Sequence, residues 1–196
     1  MGIEKVVLEN EVETIKVYRL DRLPDVVEKL IIPEGVNEIR TDQEIDERGF
    51  DYLNTTLKEV VLPESLTVIC DRVFSYFRGL EVVDGLENVK HIGDEAFMQS
   101  GLSGDIKLSD KLKYIGQDSF YDTKIKSCDF SNSEITISKG AFGCCSELRE
   151  IKGTENLISI QAFAFEYCRV LSKLGGLDKD SDIVDCSAFE SCDGLE

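Results

Sequence analysis

The sequence predicts an α/β repeat solenoid, a stack of short units with a parallel β-sheet on one face and short helical turns or loops on the other. Three observations predict it. A phenylalanine returns at Phe74, Phe97, Phe120, Phe142, Phe165 and Phe189, with gaps of 23, 23, 22, 23 and 24 residues. Five residues ahead of each stands an aliphatic side chain: Ile69, Ile92, Ile115, Ile137, Ile160 and Val184. An alternating run such as Leu57-x-x-Val60-x-Leu62 opens the unit, as a half-buried strand does. A fixed period in this range marks units that stack only on their neighbours.

The units follow in order. Ile3, Val6, Leu8, Val12, Ile15 and Leu20 make an imperfect first unit, with Leu20 in the place of Phe. Val27, Leu30, Ile32-Pro33, Val36 and Ile39 make the second, whose surplus length falls at 40–49. That stretch is charged and turn-like and reads as a loop insertion. Further units start near 57, 80, 102, 125, 148 and 171, so the whole of 1–196 reads as one domain of about eight units. Within each, the β-branched alternating run is a short strand, stopped after Ile32 and Leu62 by Pro33 and Pro63. The Ile-x-x-x-x-Phe segment, with small and polar residues between, suggests a tight turn leading into about one helical turn. A helical turn so short cannot stand alone. The units must therefore stack, adding strand rungs about 4.8 Å apart and Phe upon Phe.

Composition excludes several classes of function. With 39 acids against 22 bases, the net charge is −17. Phosphate backbones and anionic membranes repel such a surface, so nucleic acid is not an expected partner. The apolar runs are far shorter than the roughly 20 residues a bilayer span needs, so membrane insertion is not expected. No basic-then-apolar leader opens the sequence.

No chemistry-bearing constellation survives comparison with the repeat. Cys145, Cys168 and Cys192 each follow a Phe by three residues, which stacks them inside the solenoid as small hydrophobes. A disulfide between rungs would need a dihedral that parallel side chains rarely present. Zinc would need spaced Cys pairs with His nearby, whereas the close pair is Cys144-Cys145 and the sole histidine is His91. His91 precedes a buried Ile92, and Tyr114 and Val68 hold its place in neighbouring units, as at a variable surface position. Asp178, Asp180 and Asp182 imitate the opening of a calcium loop, but Ile183 and Phe189 stand where Gly and Glu are required. Asp42, Glu44 and Asp46 fail the same test. Neither catalytic residues nor a metal or cofactor is expected, and the protein does not read as an enzyme.

The clearest binding clue lies between the buried strand positions. One outward column reads Val7, Ile31, Val61, Asp84, Lys107, Asp129, Lys152, Gly175; its neighbour reads Lys5, Lys29, Glu59, Val82, Asp105, Ser127, Glu150, Lys173. Val7, Ile31, Val61 and Val82 form an apolar cluster rimmed by Lys5, Lys29, Glu59 and Asp84. Such a patch marks a protein contact, although β-branched residues also simply favour strands.

Ile92-Gly93-Asp94-Glu95-Ala96-Phe97, Ile115-Gly116-Gln117-Asp118-Ser119-Phe120 and Gly140-Ala141-Phe142-Gly143-Cys144-Cys145-Ser146-Glu147-Leu148 resemble the leucine-rich repeats of the BspA-like group. Val184-Asp185-Cys186-Ser187-Ala188-Phe189 is close to them. The resemblance covers most of the chain; the first two units depart from it. It implies a right-handed leucine-rich-repeat stack and a cell-surface or secreted adhesion protein that binds host or microbial proteins. The free cysteines fit a cytoplasmic, reducing setting as the alternative. The expected function is non-enzymatic recognition of a protein through the outward sheet face. The alternative is a structural spacer or end-to-end assembly segment of a larger solenoid.

Overall fold

We describe a computed structural model over residues 6–7, 17–19, 27–41, 56–131 and 133–195. The alternating runs form strands β1 (Val6–Val7), β3 (Lys29–Ile31), β5 (Glu59–Val61) and β7 (Val82–Asp84), paired in that order into a four-stranded parallel sheet. The same layer continues as β9 (Ser103–Lys107), β11 (Lys124–Asp129) and β13 (Glu150–Lys152), a three-stranded parallel sheet. At the break, Ser103 N–H still donates to the Glu81 carbonyl at 3.1 Å. Gly104, at φ +80°, adds one residue to β9 relative to β7, which interrupts regular pairing.

A second sheet lies on a different side of each unit. Strands β2 (Val17–Arg19), β4 (Glu38–Arg40), β6 (Val68–Ile69), β8 (His91–Ile92), β10 (Tyr114–Ile115), β12 (Thr136–Ile137) and β14 (Ser159–Ile160) form a seven-stranded parallel array. The aliphatic residue five before Phe74, Phe97, Phe120, Phe142 and Phe165 is thus a strand residue rather than the start of a turn, and Val184 forms an isolated parallel bridge to Ile160. Ile69 pairs with Ile92, and Ile115 with both Ile92 and Ile137. The fold is a parallel-strand β-solenoid.

The α/β expectation needs correction. Among the described residues the only helices longer than a single residue are two three-residue 3₁₀ turns, Leu86–Asn88 and Asp193–Leu195. The helical turn expected before Phe is absent, and the backbone shows why. Residues two before and two after the Phe lie in the left-handed region: Arg72 and Tyr76, Glu95 and Gln99, Asp118 and Asp122, Gly140 and Cys144, Phe163 and Tyr167. A right-handed helix cannot pass through such positions. Their N–H groups point along the stack instead of down the chain. Arg72, Phe74 and Tyr76 N–H donate to the Asp94, Ala96 and Met98 carbonyls of the next unit, at 2.9, 2.8 and 2.7 Å. The N–H groups between them close tight turns, with Ser75 N–H on the Arg72 carbonyl at 3.1 Å. The third side of the solenoid is therefore a stack of turns.

Between these sides runs the core. Phe74, Phe97, Phe120, Phe142 and Phe165 are fully buried, and the rings from Phe74 to Phe189 stack at 5.1–5.4 Å between centroids, within 15° of parallel. Leu57, Val60, Leu66 and Ile69, with their equivalents in other units, fill the remaining interior. The insertion read at 40–49 lies, from residue 42 on, outside the described residues.

Candidate functional site

The register of the first sheet places the two outward columns as the alternation requires. Val7 pairs with Ile31, Ile31 with Val61, and Val61 with Asp84; Lys29 pairs with Glu59, and Glu59 with Val82. Each central residue between them, Leu30 and Val60, is fully buried, so the flanking positions face away from the core. Ile31 and Val61 are half-buried, and Val82 is 44% exposed. Ile31 and Val61 are register partners on adjacent rungs, and Val82 lies in the neighbouring column opposite Glu59. Beside them Lys29 Nζ forms an ion pair with Glu59, and Asp84 is exposed at the end of its column. Lys5 lies outside the described residues.

The other half of the layer has different chemistry. Asp105, Ser127, Glu150 and Lys173 continue one column, and Lys107, Asp129 and Lys152 the other. Lys152 Nζ lies 3.1 Å from Glu150, and Lys173 Nζ reaches the same carboxylate at 3.9 Å. A third outward column, missed by the sequence reading, carries the exposed Lys126 and Arg149. It arises because β11 is six residues long and shifts register between Ile125 and Ser127, so Lys126 adds an outward position.

The second sheet presents Glu38, Val68, His91, Tyr114, Thr136 and Ser159 outward, one per rung. His91 sits on strand β8. Its ring stacks on Tyr114 at 4.7 Å, and the Tyr114 hydroxyl donates to Asp94 Oδ1 at 2.8 Å. That bond to the carboxylate holds the Tyr114 hydroxyl protonated, with its pKa raised to about 12. The same Asp94 oxygen accepts Gln117 N–H at 2.9 Å, and Asp71 accepts Asp94 N–H at 2.8 Å. These carboxylates thus tie one unit to the next. Among the described residues no hydrogen bond or ion pair joins the His91 ring to a nucleophile or an orienting acid.

Cysteines serve the interior. The thiols of Cys145, Cys168 and Cys192 donate to the carbonyls of Phe120, Phe142 and Phe165, at 3.2, 3.1 and 3.0 Å. Burial pushes the Cys128 thiol well up and the Cys192 thiol to about 11; burial with the nearby Glu38 takes Cys70 to about 12. Such thiols hold their protons and are poor nucleophiles. All seven cysteines are free. Asp178 accepts the Asp180 N–H at 3.0 Å, which makes it a turn-forming residue. Among the described residues no cluster of His, Cys, Asp and Glu could hold a metal ion, and no helix is long and apolar enough to cross a membrane.

Comparison with known proteins agrees with this geometry. The profile of the BspA type leucine-rich repeat region matches six copies, over residues 1–104, 43–172 and 80–196. A leucine-rich repeat protein of T. pallidum, TpLRR, superposes with a TM-score of 0.62 at 22% identity, over 78% of this chain and 70% of that one. One from Bacteroides ovatus superposes at 0.63 and 23% identity, over 86% of this chain and 47% of that one. The chain therefore spans about half the length of the Bacteroides protein. No curated protein matches it.

Proposed function

The chain belongs to the BspA-type leucine-rich repeat family, and from that premise we propose a non-enzymatic recognition module that binds a protein partner through the outward face of its first sheet. Members of such repeat families generally serve as interaction or adhesion modules. The contact centres on Val7, Ile31, Val61 and Val82, with Lys5, Lys29, Glu59 and Asp84 at the rim. One observation carries this reading: Ile31 and Val61 stand side by side on the rungs of β3 and β5, with the exposed Val82 in the neighbouring column of β7, while Leu30 and Val60 between the columns are already buried in the core. Strand-forming propensity supplies β-branched residues, but the other half of the layer builds the same strand positions from charged ones. An apolar surface rimmed by charge excludes water on docking and takes its orientation from the rim.

The test compares surface-protein partners captured by the native protein and by Val61→Glu. The expected outcome is loss of the captured partner with unchanged folding. Undiminished capture by the variant would sink the assignment. The setting proposed is the cell surface or the exterior, as in the family, with a reducing compartment as the alternative given seven free thiols.

A further inference from the structure

The acidity of this chain is not uniform. On the sheet formed by β9, β11 and β13, extended by Lys173, five exposed cations stand outward: Lys107, Lys126, Arg149, Lys152 and Lys173. They face only Asp105, Asp129 and Glu150 in the same columns, in a chain whose net charge is −17. The acids are already engaged. Glu150 is shared by Lys152 and Lys173, and Asp105 accepts the Ser127 hydroxyl at 2.8 Å. Lys126 and Arg149 have no carboxylate within ion-pair distance among the described residues. With Lys152 and Lys173 they border a shallow groove of about 440 Å³, which also touches Asp105 and Glu150.

We infer that this groove binds an acidic polypeptide segment, whose carboxylates pair with Lys126 and Arg149. The inference rests on the reading of the first sheet layer as a recognition face, but it concerns the opposite end from the Val61 cluster. Arg149 can take a carboxylate by two parallel N–H bonds, and both cations are free to exchange water for a partner. The acidic remainder of the surface repels an acidic partner in every other pose, so this island also sets orientation. A uniform polyanion fits less well. Asp105 and Glu150 stand inside the groove, and a phosphate or sulfate chain would meet them with like charge. A polypeptide can place an amide or hydroxyl donor there.

The test uses a fluorescently labelled peptide of alternating Glu and Ser, read by anisotropy at low salt and again at about 1 M salt, where screening reaches within about 3 Å. The native protein is expected to bind it at low salt and release it at high salt. Lys126→Glu with Arg149→Glu should weaken binding at least about tenfold, while Val61→Glu leaves it unchanged. Thermal unfolding of both variants checks that the fold is retained. Equal affinity in the double variant overturns the inference. So does equal binding of the matching Gln and Ser peptide, or binding of a sulfated oligosaccharide where the Glu peptide fails. Loss of partner capture by Val61→Glu with peptide binding intact separates the two ends of the layer; peptide failure alone leaves the apolar contact standing.

Discussion

The stack of rings from Phe74 to Phe189 and the outward strand positions occupy the same units but obey opposite rules. Inside, every ring meets the one above it at nearly the same distance and tilt, so loss of a ring within the stack takes one stacking partner from each of two neighbours. Outside, column partners pass from Ile31 and Val61 to Asp84, and from Glu59 to Val82, with no loss of pairing between their backbones. The difference shows where the repeat constrains the chain and where it leaves room for recognition. Chemistry follows the same division. The thiols of Cys145 and Cys168 are bonded to carbonyls in the interior, whereas Lys126 and the exposed Val82 face outward from the strands.

If the interior carries the stability, Phe120→Ala should show the largest effect, about 3–5 kcal/mol by denaturant unfolding. The ring lies between Phe97 and Phe142, so both stacks are lost at once. A cost under about 1 kcal/mol would mean that the ring stack is dispensable. Gly116→Ala comes next. A β-carbon there would collide with the Asp94 backbone nitrogen and the Gly93 carbonyl carbon, neither of which can swing away. We expect about 1–3 kcal/mol of destabilisation, as for overpacked sites. Val61→Glu should cost about 0.5–1 kcal/mol, because a half-buried valine is lost beside the Asp84 carboxylate, while abolishing partner capture. Comparable losses of stability from Val61→Glu and Phe120→Ala would erase the distinction between inside and outside.

The smallest effect concerns the second sheet. Tyr114 is held protonated by Asp94, with its pKa raised from 10.0 to about 12. A raised pKa means that the folded state favours the protonated hydroxyl. This contribution to stability is fully present below about pH 10 and is lost as the pH rises towards 12. Unfolding measured across that window should show the decline in the native protein and a shallower one in Tyr114→Phe. Identical profiles would show that the bond to Asp94 does not couple to folding.

Legibility differs along the same division. The Phe spacing and the strand alternation announced the solenoid, the buried positions and the register of both outward columns, because burial demands the same residue type at the same place in each unit. Left-handed backbone at Arg72, Tyr76, Glu95 and Gln99 gave no such signal. These residues have no shared preference for it. They adopt it because the next unit offers carbonyls to their neighbours' and their own N–H groups, a partner that exists only after stacking. For the same reason the Ile positions became a second sheet rather than the approach to a helical turn: two-residue strands such as His91–Ile92 are too short to declare themselves and are held by the rungs on either side. The cationic groove shares this origin. Lys126 and Arg149 are ordinary charged residues in the sequence, and it is the irregular pairing of β11 with its neighbours that gathers them on one face. Side-chain burial repeats with the sequence and can be read from it; backbone partners and surface neighbours come from adjacent units and appear only in the assembled stack.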